Sequence, residues 1–241
     1  MSWKEKGMAK KRNLALAPRK EKQREAQIVS MPIHFTLSEI QQHFIESMNS
    51  VKEQYEVADS LANEGNINGC KTIWRSQIVL AEGLLDFYIH EMSKYCLFRM
   101  FTNNWSKSEK YASFMVPLGK VEEAIDASES KDWFFAYLND RFSRDVFISK
   151  ESMKEQLNLI GIGFNQVMTK AFPCESEEKS YKTGAMIIAE LFKRRNEIAH
   201  QNDRSHESAE QNDITKEFVS DYISKIEIIV NSIHEIAKEK D

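Results

Sequence analysis

Between Cys70 and Phe101 the chain has no proline and a single glycine, Gly83. Along the same stretch Ile73, Ile78, Val79, Leu84, Leu85, Tyr88, Ile89, Met92 and Leu97 recur at helical spacing. A run of this kind commits the chain to a long helix. The rest of the sequence agrees: 8 Gly and 4 Pro among 241 residues leave few breakers, and Glu, Lys, Ile, Leu and Ala are abundant. The expected class is all-α, with four to five long helices and shorter helical insertions.

Other segments fit that class. Thr36 can cap a helix with Glu39 completing the capping box, and Leu37, Ile40, Phe44, Met48, Val51, Tyr55, Ala58 and Leu61 follow before Gly65-Asn66 ends the run. Residues 102–148 are the least regular. Their aromatics, Trp105, Phe114, Trp133, Phe134, Phe135, Tyr137 and Phe142, are expected in the core rather than stacked on bases. Pro117 and Asp132 each suggest the start of a short helix. Ser149 can cap a helix that Gly161 closes, and a weaker helix is expected over Phe164–Ala171. The next long helix is expected to begin at Thr183 or Gly184 and to end near Ala199. The last starts at Asp213 or Thr215, with Phe218, Tyr222, Ile226, Ile229, Ile233 and Ile236 on one apolar face.

Charge is unevenly spread. Up to Ser30, nine Lys and Arg meet three Glu, although the whole chain is formally -4. Residues 1–30 are therefore expected to form a basic solvated tail, either passive or attractive to RNA. Residues 31–241 are expected to form a single helical domain carrying an irregular insertion at about 102–148. The start has no apolar core of signal-peptide length, and no apolar run is long enough to span a bilayer. Cys70, Cys96 and Cys174 are unpaired in spacing, which favours a reducing, cytoplasmic setting. The histidines show no HExxH or Cys/His spacing, so no metal and no cofactor are expected.

Two features carry chemistry. Glu82 falls on the apolar stripe of its helix, three after Val79 and three before Leu85. A carboxylate there needs a cation or a hydrogen-bond donor. Near the end of a later apolar run stands Lys193-Arg194-Arg195-Asn196-Glu197-Ile198-Ala199-His200. Arg195 lies four after Leu191 and seven after Ile188, on the face expected to be buried. Its guanidinium can fork onto a phosphate, and His200 can move a proton near neutral pH. On an unbroken helix these two are about 140° apart around the axis; an end near Ala199 would relieve this. Cations also crowd helix C-termini for purely structural reasons, so spacing alone leaves both readings open.

The Arg195-Asn196-Glu197-Ile198-Ala199-His200 segment, on the penultimate long helix, resembles the HEPN superfamily signature: an Arg followed by a polar residue, a short spacer, then His. The stretch 73–94 around Glu82, and the tail from Ala199 to Glu235, are similar to the RiboL-PSP-HEPN branch in particular. The resemblance covers roughly residues 33–239. It implies an all-α bundle, a homodimer with its cleft between two copies of the motif helix, and metal-independent cleavage of RNA. By it, Arg195 and His200 take catalytic roles and Asn196 a supporting polar one. Glu82, Arg194, Asp203 and Arg204 stand as supporting or RNA-binding candidates. Many relatives are toxins or antiviral effectors, which implies an antitoxin or other regulatory partner. Toxins of the superfamily paired with a nucleotidyltransferase antitoxin often carry Tyr two residues after the His. Asn202 stands there in this chain, against regulation through such a tyrosine. The alternative is a non-catalytic HEPN-type module in which the same residues bind a nucleotide or RNA or line a protein interface; blander still is a structural helical dimer.

Overall fold

In the computed structural model the described residues are 33–127, 130–205 and 207–241. The expected basic tail, residues 1–30, lies outside them. Eight α-helices follow one another: α1 (Leu37–Asn63), α2 (Ile67–Phe101), α3 (Leu118–Ala127), α4 (Asp132–Phe142), α5 (Lys150–Leu159), α6 (Phe164–Ala171), α7 (Glu177–Gln201) and α8 (Lys216–Lys238). No strand forms among the described residues; one isolated bridge joins Arg204 and Gln211. The architecture is all-α.

Local chemistry sets several of the starts. The Thr36 side chain accepts the Glu39 amide while Glu39 reaches back to the Thr36 amide at 2.7 Å, a complete capping box. Ser149 and Thr215 cap α5 and α8 through the amides of Ser152 and Phe218. Gly65, at φ +79°, makes the left-handed turn that folds α2 back along α1.

Helix α2 is the spine. It packs against α1 along one flank and against α4, α5, α7 and α8 elsewhere. Its inward residues Ile78, Leu85, Tyr88, Ile89, Met92, Cys96 and Leu97 are at most 1% exposed and join one core with α8's Ile226, Ile229, Ile233 and Ile236. Each such aliphatic side chain adds about 1.5–3 kcal/mol by leaving water, so α8 and α2 hold each other firmly. The aromatics of the irregular stretch are core residues, as expected: Trp105, Phe134, Phe135, Tyr137 and Phe142 are buried, and Phe114 and Trp133 pack against the same core.

Three helix limits differ from expectation. Helix α2 starts at Ile67, capped by Asn66, rather than near Cys70. Helix α7 starts at Glu177, well before Thr183, because Ser176 accepts the Lys179 amide and caps two further turns of polar sequence. It also continues past Ala199 to Gln201. There Asn202 (φ 51°) and Asp203 (φ 56°) turn left-handed, and their amides return to the Glu197 carbonyl.

Candidate active site

The motif residues occupy the C-terminal end of α7, just before the left-handed pair Asn202 and Asp203. Leu191 and Ile188 are buried and fix the rotation of α7. Arg195, on the continuing face, is half-buried. Its Nη1 donates to the Asn196 Oδ1 at 2.9 Å, while its Nε is shut away from solvent with no acceptor. Among the described residues Arg195 forms no ion pair, unlike its neighbour Arg194. A guanidinium in this condition is under-satisfied, and an incoming anion can complete it.

His200 lies on the exposed end of the same helix and has no hydrogen-bond partner among the described residues. Because α7 runs on to Gln201, the two motif side chains stay about 140° apart around the axis. The expected ending near Ala199, which would have swung the imidazole toward Arg195, is corrected by the left-handed pair at Asn202 and Asp203. One chain therefore does not bring Arg195 and His200 into contact.

Glu82 is 1% exposed, as its position in the stripe required, but its direct partner is not a cation. The Tyr222 hydroxyl lies 2.9 Å from the Glu82 Oε2 and 2.8 Å from the Leu191 carbonyl. Burial pushes the Glu82 carboxyl up to about 7, against the opposing hydrogen bond from Tyr222 and the field of Arg195, with Asp86 adding to the rise. Burial likewise raises the Tyr222 phenol far above its ordinary range, and the Glu82 charge adds to this. The Asp86 carboxylate is occupied elsewhere, accepting the Phe147 amide at 2.7 Å.

Asp203 is fully buried and anchors the end of the motif helix. Its carboxylate accepts from the Arg75 Nε at 2.6 Å, from both terminal nitrogens of Arg194 and from the Asn212 side-chain Nδ2 at 3.1 Å. Burial works to raise this carboxyl, but Arg194, Arg75 and Asn212 outweigh it and hold it below the ordinary carboxylate range. The Asp203 oxygens are thus committed inside the protein, which sets it among the supporting candidates rather than at an RNA-facing surface. Arg194 is committed with it and lies over the Phe218 ring, 5.7 Å from the centroid. Arg204 is exposed and donates to the Ala209 carbonyl at 2.7 Å, closing the loop that the Arg204–Gln211 bridge begins.

Sequence pattern alone does not mark Arg75 and Tyr222 as site residues. A signal existed for Arg75: it lies three before Ile78 and seven before Glu82, on the same inward stripe of α2. Tyr222 gave none beyond its place on the apolar face of α8. No group of three or more described His, Cys, Asp or Glu side chains gathers where it could hold a metal ion. A pocket of about 660 Å³ opens among α1, α2, α4 and the end of α8, and contains none of the motif residues.

A family profile described as RiboL-PSP-HEPN matches residues 36–239, most of the chain and the whole helical bundle. The chain belongs to the RiboL-PSP-HEPN family. Neither the curated proteins nor the solved structures contain a match. Membership in the RiboL-PSP-HEPN family indicates a nuclease or an RNA-interacting module. No described helix of this RiboL-PSP-HEPN chain is long and apolar enough to cross a membrane.

Proposed function

We propose that this protein is a metal-independent endoribonuclease that works as a homodimer, with Arg195 and His200 carrying the reaction and Asn196 supporting them. RNA brings its own nucleophile. Attack by a 2'-hydroxyl on the adjacent phosphorus forms a bond to phosphorus and expels the 5'-oxygen of the next nucleotide. A base must take the hydroxyl proton, an acid must protonate the leaving oxygen, and cations must hold the charge that builds on the phosphorane. One motif helix supplies one imidazole. A two-fold axis supplies two, one to act as base and the other as acid.

The observation that carries the reading is the half-buried Arg195 guanidinium, which forms no ion pair among the described residues, with an exposed His200 five residues further along the same helix. The splay of the two around α7 favours a second copy further: an imidazole from one protomer can stand over a guanidinium from the other. The Asn196 amide, held by the Arg195 Nη1, steers the fork toward its phosphate. Cellular work as a toxin or antiviral effector, under an antitoxin or similar partner, fits such an activity in the cytoplasm.

One observation favours the second reading, a non-catalytic RNA- or nucleotide-binding module: nothing among the described residues orients the His200 ring. Incubating purified protein with mixed RNAs in EDTA separates the two. Cutting that survives EDTA and vanishes in Arg195→Ala supports the nuclease. Intact RNA under all conditions, with Arg195-dependent retention of RNA on the protein, supports the module.

A further inference from the structure

The pocket away from the motif has a consistent lining. His34 leans on Phe98 and Phe135, with ring centroids 4.6 and 4.1 Å apart, so aromatic surface dominates one wall. Most polar groups there are already matched. Asp132 pairs with His34 at 3.2 Å, Glu91 with Lys94 at 2.6 Å, and Asp241 accepts from Tyr95 at 2.8 Å and pairs with Arg99. Lys238, which makes no ion pair among the described residues, is exposed at the rim and stays hydrated.

Two uncharged groups remain unmatched. Gln41 is half-buried and its amide has no hydrogen bond among the described residues. His234 is 6% exposed, and its Nδ1 is sealed from solvent without a partner. Burial and the nearby Lys238 both favour its neutral form. A sealed ring nitrogen without an acceptor is better left unprotonated, since an orphaned N–H is the rarer and costlier defect. The proton then sits on Nε2 and makes that atom a donor.

We propose that this pocket binds a small, flat, uncharged heteroaromatic molecule with an amide-like edge, stacked on the aromatic wall and hydrogen-bonded by Gln41 and His234. A cavity of about 660 Å³ accommodates a bicyclic ring. The Gln41 amide both donates and accepts, so with the His234 donor it matches a lactam's C=O and N–H rather than a hydrocarbon or an ion. This site is independent of the ribonuclease reading.

The test is titration calorimetry and ligand-observed NMR on the full chain with quinolin-2-one and hypoxanthine, and with 1-methylquinolin-2-one as the probe lacking the N–H. Saturable binding of the two lactams is expected, weakened about tenfold by His234→Phe and by N-methylation, each removing one hydrogen bond, and more than tenfold by Gln41→Leu, which removes both the donor and the acceptor of the amide. Gln41→Leu alters a partly exposed position and keeps the test decisive should His234→Phe not fold. Arg195→Ala should bind like the parent chain. Absence of saturable binding by the parent chain, binding undiminished in Gln41→Leu, or loss of binding in Arg195→Ala overturns the proposal.

Discussion

The Tyr222 hydroxyl bridges the Glu82 carboxylate and the Leu191 carbonyl, at 2.9 and 2.8 Å, with one proton for two acceptors. Both contacts become hydrogen bonds only if Glu82 is itself protonated, donating to the phenol while the phenol donates to Leu191. The same conclusion follows from burial, which lifts the Glu82 carboxyl from an ordinary value of 4.5 to about 7. The native state therefore holds this proton at pH values where the unfolded chain has lost it. Stability from Glu82 is complete below pH 4.5, declines as pH rises toward 7, and is gone above it. The span corresponds to about 3 kcal/mol. Glu82→Gln, which keeps the neutral shape, removes this slope. Urea unfolding at pH 5 and pH 8 should show the parent chain losing stability relative to Glu82→Gln as pH increases; parallel curves would refute a protonated Glu82.

Asp203 lies between two arginines. Replacing it with Ala leaves Arg75 without a counter-ion among the described residues and Arg194 with only Glu197, at 3.4 Å, and frees the end of α7, so a loss of about 3–5 kcal/mol is expected from broken buried pairs. Its carboxyl is held below the ordinary value of 3.8, so its contribution is fully present above that pH and is lost as pH falls through the depressed native value. Thermal melts of Asp203→Ala should shift down strongly at pH 7, and the gap to the parent chain should narrow in acid.

Much of this fold was legible because its starts and stripes are local. A side-chain oxygen three residues before a free amide announces Thr36, Ser149 and Thr215 as caps, and the inward stripes of α1, α2 and α8 repeat at the helical period. The start of α7 was hidden because its first turns are polar, steadied by Lys179 and Lys182 pairing with Glu175 and Glu178 rather than by apolar spacing. Its end was hidden because Asn202 and Asp203, not glycine, take the left-handed turn. The candidate site was legible as residue types only. Its partners, Arg75 with Asp203 and Tyr222 with Glu82, are 128 and 140 residues apart in sequence, and pattern within one helix cannot pair them.

At Gly184, α7 lies against the Met168 side chain of α6. A Cβ added there would stand 2.5 Å from the Met168 Sδ and 3.0 Å from its Cβ and Cγ. The sulfur can swing away, but the Cβ is fixed to the α6 backbone. Gly184→Ala should thus force the helices apart and destabilise by about 1–3 kcal/mol despite the better helix propensity of Ala. Denaturant midpoints test this; a stabilised variant would mean that Met168 has room to yield.

Arg195 and His200 should separate stability from chemistry in opposite ways. His200 is exposed and unpartnered among the described residues, so His200→Ala is expected to change stability by no more than about 0.5 kcal/mol. If its imidazole transfers protons, the same change lowers the RNA cleavage rate by about 10²–10⁴-fold. Arg195 is half-buried and its charge opposes the upward shift of Glu82. Arg195→Ala should therefore abolish cleavage and also move the Glu82 titration to higher pH, an effect that NMR of the carboxyl or the pH dependence of unfolding can read without any RNA. Arg195→Lys keeps the charge but loses the planar fork; it should restore the Glu82 titration and leave cleavage impaired. Wild-type cleavage in His200→Ala would rule out the imidazole as the proton carrier. An unmoved Glu82 in Arg195→Ala would show that the guanidinium and the buried acid do not sense each other.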